Sequence, residues 1–311
     1  MKLERKNNSR TYSAYGLTVR SEIPLDEFPA TTEEHEDVSV AYGEIPDWAL
    51  EIQDKAEAIE ITPESARFWF ANTGGFAVTD GNRITAYPRP GVPVEVLRLY
   101  VEGMLLAMLL HQRGRCVLHA SVVEIEGVAV ALMGHVGAGK SSLAGTLYTR
   151  GHRVLADDNA AILVSSGRPS VTPAYPYVKL FPAIASLLGF HNGSLRALHS
   201  SQPKMAGAVG NGFTAAPSPL ARIYLLGRNH QPEIRQLSPL EAMLELIRNA
   251  VPTRWGHAGD ARQLERCGAV ARQVPMFTLR TFTDLDGLPE VARALEQHCA
   301  SRMRPADVVH P

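Results

Sequence analysis

The stretch 134–142, GHVGAGKSS, restricts what this chain can fold into more than any other part of it. It reads G-x-x-x-x-G-K-[ST], with Gly134, Gly139, Lys140 and Ser141 at the defining positions. An apolar run over 128–133 leads into it and a helix-capable run over 141–150 leads out, the strand–loop–helix setting that this motif requires. Glycines let consecutive backbone N–H groups turn inward around phosphate oxygens. The helix that follows points the positive end of its dipole at the same oxygens. In such a loop the lysine reaches the β- and γ-phosphates, and the hydroxyl after it meets Mg²⁺. Gly134, Val136, Gly137, Ala138, Gly139, Lys140, Ser141 and Ser142 are therefore the expected nucleotide-binding residues, with ATP and Mg²⁺ the expected cofactors.

The 311 residues leave room for one large domain or two ordinary ones. A net charge of -1 speaks against a general nucleic-acid or membrane-surface binder. Cys116, Cys267 and Cys299 lack metal-ligand spacing and leave an odd thiol, which fits a reducing, cytoplasmic setting. The N-terminal segment lacks the apolar run of a secretory signal. The most apolar helix candidate, 94–110, carries Glu95, Arg98 and Glu102 and reads as a buried-face helix rather than a membrane span.

The first third reads as β-rich. Strands are expected over 12–20, 38–43, 56–61 and 84–87, and the runs 68–70 and 76–79 flank the hairpin signal Asn72-Thr73-Gly74-Gly75. A helix over 94–113 places Leu97, Val101, Met104, Leu105 and Met108 on one core-facing stripe and ends at Gly114. The boundary is expected here, between a smaller β-rich unit at 1–112 and a catalytic unit at 113–311. Strands and helices alternate from residue 116 onward, the pattern of an α/β domain. Ser238 and Glu241 have the spacing of a capping box at a helix start. The stretch 202–219, with three glycines and little periodicity, reads as a mobile loop of lid type that carries Lys204.

Three further groups bear on chemistry. A two-residue turn at Glu126-Gly127 would set Ile125 opposite Val128 and, counting back, His119 opposite Gly134 at the loop mouth. Taken alone, a single histidine is more simply a satisfied core residue. The span from Lys140 to Asp157 holds one helix and one strand, so Asp157-Asp158-Asn159 is expected at the end of a strand beside the phosphate-loop strand. One of the two carboxylates can hold Mg²⁺ and the other can take a proton from an attacking hydroxyl. Lys179, in the proline-punctuated run 172–182, and Lys204 are candidates to meet substrate or phosphate.

Together His119, GHVGAGKSS and RGHRVLADDN resemble the catalytic domain of HPr kinase/phosphorylase. The resemblance implies Asp157 as general base toward a serine hydroxyl, His119 as its hydrogen-bonded partner, Lys140 on the phosphates, and Ser141 with Asp158 on Mg²⁺. It implies an α/β, HPr-kinase-like P-loop catalytic domain preceded by the smaller β-rich domain. The family's second conserved stretch, tied to phosphorylase activity, has no convincing counterpart here. Instead YSAYGLTVRSEIPLDEF, YPYVKLFP and PLARIYLLG are similar to the HPr-kinase-like proteins of lasso peptide clusters. That subgroup's activity implies ATP-dependent phosphorylation of the C-terminal serine of a peptide precursor, with the peptide as partner and homo-oligomer formation left open. Two rival classes stand beside it: a nucleotide-binding regulator or scaffold without transfer, and an NTP hydrolase. The second lacks a visible glutamate or glutamine to orient a water.

Overall fold

Short strands separated by left-handed turns build the first part of the chain, in a computed structural model that describes residues 9–191, 193–199, 203–228, 233–256, 261–281 and 286–302. β1 (Arg10–Ala14) and β2 (Leu17–Ser21) are joined by Tyr15 and Gly16 at φ 54° and 66°, the two-residue turn whose twist matches that of the strands. The single strand expected over 12–20 is thus a hairpin. β3 (Val38–Tyr42) lies parallel to β2, and helix α1 (Asp47–Glu51) precedes β4 (Glu57–Ile61), β5 (Ser65–Phe70), β6 (Gly74–Thr79) and β7 (Arg83–Pro88). The sheet order is β1-β2-β3-β7-β6-β5-β4. Its inner face buries Phe68, Phe76, Val78, Ile84 and Ala86, the period-two pattern of a sheet covered on one side.

The cover is the expected helix, in two α segments. α2 (Val94–Tyr100) and α3 (Leu106–Gln112) run together through one wider π turn at Val101–Leu105, which Gly103 and buried Glu102 occupy. Gly114, at φ 85°, ends it.

β8 (Cys116–Leu118) and β9 (Ala120–Ile125) form one extended run broken at His119. β9 turns through Glu126 and Gly127, at φ 51° and 81°, into β10 (Val128–Met133). Ile125 faces Val128 and Ala120 faces Met133, the register expected from the turn. Every residue of β10 is buried. Ala129, Ala131 and Met133 face the core shared with the first sheet. Val130 and Leu132 face a second cluster with Leu143, Ala144 and Leu147 of α4 (Lys140–Thr149).

After α4 come β11 (Arg153–Ala156), β12 (Ala160–Ser165), β13 (Arg168–Thr172), β14 (Tyr177–Leu180), α5 (Pro182–Leu187), β15 (Leu195–Ala197) and β16 (Met205–Ala208). The long β17 (Ser218–Arg228) and β18 (Glu233–Gln236) lead to α6 (Pro239–Asn249), α7 (Val251–Arg254), α8 (Ala261–Gln273), β19 (Met276–Thr281) and α9 (Leu288–Arg302). The main sheet runs β11-β9-β10-β17-β13-β12-β8, with β19 on β17 and β18 on β19. The acidic pair therefore follows a strand one place further from the phosphate-loop strand than expected, because the hairpin puts β9 on that side of β10. The lid-type reading of 202–219 also needs correction over its described part. β16 is the middle strand of a small sheet, β14-β16-β15. A Cβ at Gly207 would lie 2.9 Å from the Phe190 ring, so glycine there serves close packing, and small residues erase the periodicity that marks a strand. Gln202 lies outside the described residues. Among those residues, no helix is long and apolar enough to cross a membrane.

Candidate active site

The phosphate loop owes its shape to backbone conformations that favour glycine. Gly137 and Gly139 adopt φ 83° and 93° and let the chain curl before α4 begins at Lys140. Gly134, at φ 149°, answers a close approach as well: a Cβ there would stand 3.1 Å from the Leu226 carbonyl. The Lys140 ammonium is buried inside the curl and donates to the carbonyls of Gly134 and His135 at 2.9 and 3.1 Å. Burial lowers its pKa to about 8, although Asp157 pulls the other way. An anion in the loop would therefore find a lysine whose charge is poorly compensated in the free protein.

The two aspartates diverge. Asp157 is fully buried. Its Oδ1 accepts from the Ser141 hydroxyl at 2.9 Å and from Ser121 on β9, and its Oδ2 accepts from the Lys179 backbone N–H at 2.7 Å. Asp158 takes φ 77°, a left-handed backbone that costs a non-glycine residue energy and occurs at functional sites. The turn swings its side chain to a position 32% exposed. There it meets Lys179 Nζ at 3.1 Å and His119 Nδ1 at 3.3 Å. His119 Nδ1 also lies 2.8 Å from the Asp158 carbonyl oxygen, so that nitrogen carries the hydrogen. Burial raises the Asp158 pKa, but the Lys179 ammonium and His119 outweigh it and hold the carboxyl well below its ordinary value. Burial acts against the Lys179 charge too, and Asp158 reverses that, so Lys179 stays firmly protonated.

The structure thus joins His119 to Asp158 and Ser141 to Asp157, the reverse of the pairing implied by the resemblance. The reason is local: Asp157 extends the buried run 154–156 at the end of β11, while the left-handed step at the next residue turns Asp158 back toward the β8–β9 break. Lys179 joins the acidic pair directly. Lys204 stands apart, its ammonium 5.5 Å from the centre of the Phe181 ring, though its charge still bears on Lys140. Val136 is 75% exposed on the crown of the loop. Ser121 was not anticipated, yet it lies two residues beyond His119, and alternation along an extended chain would have placed both on one face. Tyr15 and Tyr175 brace the pair from behind, donating to the carbonyls of Asn159 and Asp157, each at 3.3 Å. No short-range signal in the sequence connects Tyr15 to that position.

Comparison with known proteins bears on this same region. The family described as HPr Serine kinase C-terminal domain matches residues 112–181. The chain is similar to the HPr kinase/phosphorylase of Prosthecochloris aestuarii, 43% identical over 60 residues, or 17% of this chain and 18% of that protein. It is similar to HPr kinase/phosphorylase 1 of Oceanobacillus iheyensis, 49% identical over 45 residues, or 14% of each. The matched stretches thus span less than a fifth of those relatives. The solved Hpr(Ser) kinase/phosphatase from Coxiella burnetii aligns with a TM-score of 0.34 and 13% identity, covering 60% of this chain and 97% of that one. The matched segment contains His119, the whole phosphate loop, both aspartates and Lys179, and over those residues the chain is similar to the HPr kinase C-terminal domain.

Proposed function

We propose that this chain is an ATP-dependent serine kinase acting on a peptide, with the C-terminal serine of a lasso peptide precursor as its acceptor. The observation that carries the kinase reading is the split acidic pair at the phosphate loop: one carboxylate buried on Ser141, the other partly open beside His119 and Lys179. In this reading the backbone N–H groups of 134–142 and Lys140 hold the β- and γ-phosphates. Ser141 and Asp157, a hydroxyl and a carboxylate, are the small hard-oxygen set with which proteins hold Mg²⁺ against substrate phosphates. Mg²⁺, when bound, neutralises charge on the β- and γ-phosphoryl oxygens.

Asp158 is the base. The acceptor Oγ bonds to the γ-phosphorus as the bond from that phosphorus to the β–γ bridging oxygen breaks. ADP leaves with that oxygen, and the hydroxyl proton passes to the Asp158 carboxylate. His119 fixes the carboxylate's direction. The Lys179 ion pair weakens Asp158 as a base, so transfer needs Lys179 to be drawn partly onto the phosphoryl oxygens. Most of the acceleration comes from positioning and electrostatics.

The lasso reading rests on the stretches over 12–28, 175–182 and 219–227. Two of them supply Tyr15 and Tyr175, which abut the acidic pair. The division into 1–112 and 113–311 belongs to this proposal, with the β-rich unit presenting the peptide in the cytoplasm. Co-expression with a precursor peptide, followed by mass spectrometry, tests it. The expected result is a gain of one phosphoryl group at the terminal serine, absent when that serine is alanine or when Lys140→Ala is used. Modification at another residue would overturn the lasso assignment, and an unmodified peptide beside an active enzyme would overturn this substrate.

A further inference from the structure

We infer that Lys204 reads the free α-carboxylate of the acceptor peptide and so selects a serine at the very end of a chain, an assignment that rests on the peptide-kinase reading above. Strand register places the lysine. Leu180 of β14 pairs with Met205 of β16, so the next antiparallel pair is Phe181 with Lys204. Val178 and Leu180 face a buried cluster with Val154 and Ile184. Phe181 keeps an extended backbone, at φ -67° and ψ 148°, so alternation turns Lys179 and Phe181 together to the opposite face. Lys179 meets Asp158 there. Phe181 stands one pleat further along, roughly 7 Å on an extended chain. Its ring is 45% exposed and holds the Lys204 ammonium 5.5 Å from its centre.

The lysines around the loop are not equivalent. Lys140 lies inside it, on the Gly134 and His135 carbonyls, and Lys179 is engaged by Asp158. Lys204 makes no hydrogen bond or ion pair among the described residues. A ring face attracts an ammonium without neutralising it, so Phe181 aims the charge and leaves its N–H donors open. That charge still acts on Lys140, which puts it within electrostatic reach of the phosphates. A serine at a chain end brings a second anion with it. Its α-carboxylate lies only a Cβ and a Cα away from Oγ, so it arrives beside the negatively charged γ-phosphoryl group whenever Oγ does. Repulsion between the two opposes the close approach that in-line attack needs. Lys140 and Lys179 are already committed to the loop and to the base. Lys204, beside the same strand face, is positioned to offset the carboxylate. An internal serine has a neutral amide in that place and gains nothing from the lysine.

The test compares two synthetic peptides of the precursor's C-terminal sequence, one ending in serine as the free acid and one as the amide, with Mg²⁺, γ-labelled ATP and the full chain. The parent protein should favour the acid in kcat/KM by about 10- to 10²-fold, the scale of a hydrogen bond between charged groups. Lys204→Ala, with a melting curve like the parent's, should erase the preference. Lys204→Arg should keep most of it, because the charge remains, and Lys204→Glu should reverse it in favour of the amide. A parent that labels both peptides equally well would overturn the inference while leaving the kinase reading in place. So would an undiminished preference in Lys204→Ala, the result expected if the lysine served only the phosphates or the fold. Label on neither peptide would remove the peptide-kinase reading, and this inference with it.

Discussion

At the scale of single residues, the two adjacent aspartates have separable tasks. Asp158→Asn keeps the shape of the open side chain but cannot take a proton, so kcat should fall by about 10² to 10⁴ with nucleotide affinity and melting temperature little changed. Asp157→Asn sets an NH₂ against N–H and O–H donors in a fully buried site. It should cost about 1–3 kcal/mol of stability and weaken Mg²⁺-dependent nucleotide binding. Melting curves and single-turnover rates on the same preparations check both. A stable, slow Asp157→Asn beside a fast Asp158→Asn would restore the roles implied by the sequence resemblance. His119→Ala should lower kcat by about 10- to 10³-fold by loosening the base. A lower melting temperature with kcat per folded molecule intact would return His119 to a core role. The motif residues were legible because spacing alone identifies them. The pairing was not, because it turns on one left-handed φ at Asp158, and nothing in Asp-Asp-Asn says which of the two residues adopts it.

At the scale of elements, α6 carries weight beyond its own length, since its last residue anchors the His119 strand break. Its start is a reciprocal capping box: the Ser238 hydroxyl accepts from Glu241 N–H at 3.3 Å, and Glu241 accepts from Ser238 N–H at 2.8 Å. Ser238→Ala should cost about 1 kcal/mol. The Ser238 N–H, its hydroxyl and Arg235 lower the Glu241 pKa from 4.5 to about 2. A depressed carboxylate pKa contributes stability that is fully present above pH 4.5 and is lost as pH falls through about 2. The destabilisation of Glu241→Ala, read from denaturant midpoints across pH, should therefore shrink in that window, and a pH-independent difference would contradict the capping role. This helix start was readable because the box is a local code. β16 was not, because its packing against Phe190 calls for glycine where a strand pattern calls for branched residues. The π turn escaped as well: helical periodicity runs through it, and the carbonyl of Gly103 accepts from the Asn159 side chain, at 3.4 Å, as well as from the Leu106 N–H.

At the scale of the whole molecule, the β-rich first sheet and the phosphate-loop sheet share one core. The same buried cluster contains Tyr12, Val19 and Ile84 of the first, Leu105 and Leu109 of the helix between, and Leu118, Ala131 and Val171 of the second. A chain starting at residue 113 would expose much of that apolar surface, so it should be poorly folded by circular dichroism unless 1–112 is supplied with it. A cooperatively folded 113–311 fragment would show that the shared cluster is dispensable. Composition could place an α/β unit after a β-rich one, but a core spanning both depends on long-range contacts such as Tyr15 behind Asn159, which no window of sequence displays. The account as a whole rests on transfer. Single-turnover incubation of the full chain with Mg²⁺ and ATP labelled at the γ-phosphate, in the presence of a serine-terminated precursor peptide, should move the label onto the peptide, and Lys140→Ala should leave it in ATP. Label released only as inorganic phosphate would make the protein a hydrolase, and label remaining in ATP would make it a binder; either result would contradict the kinase.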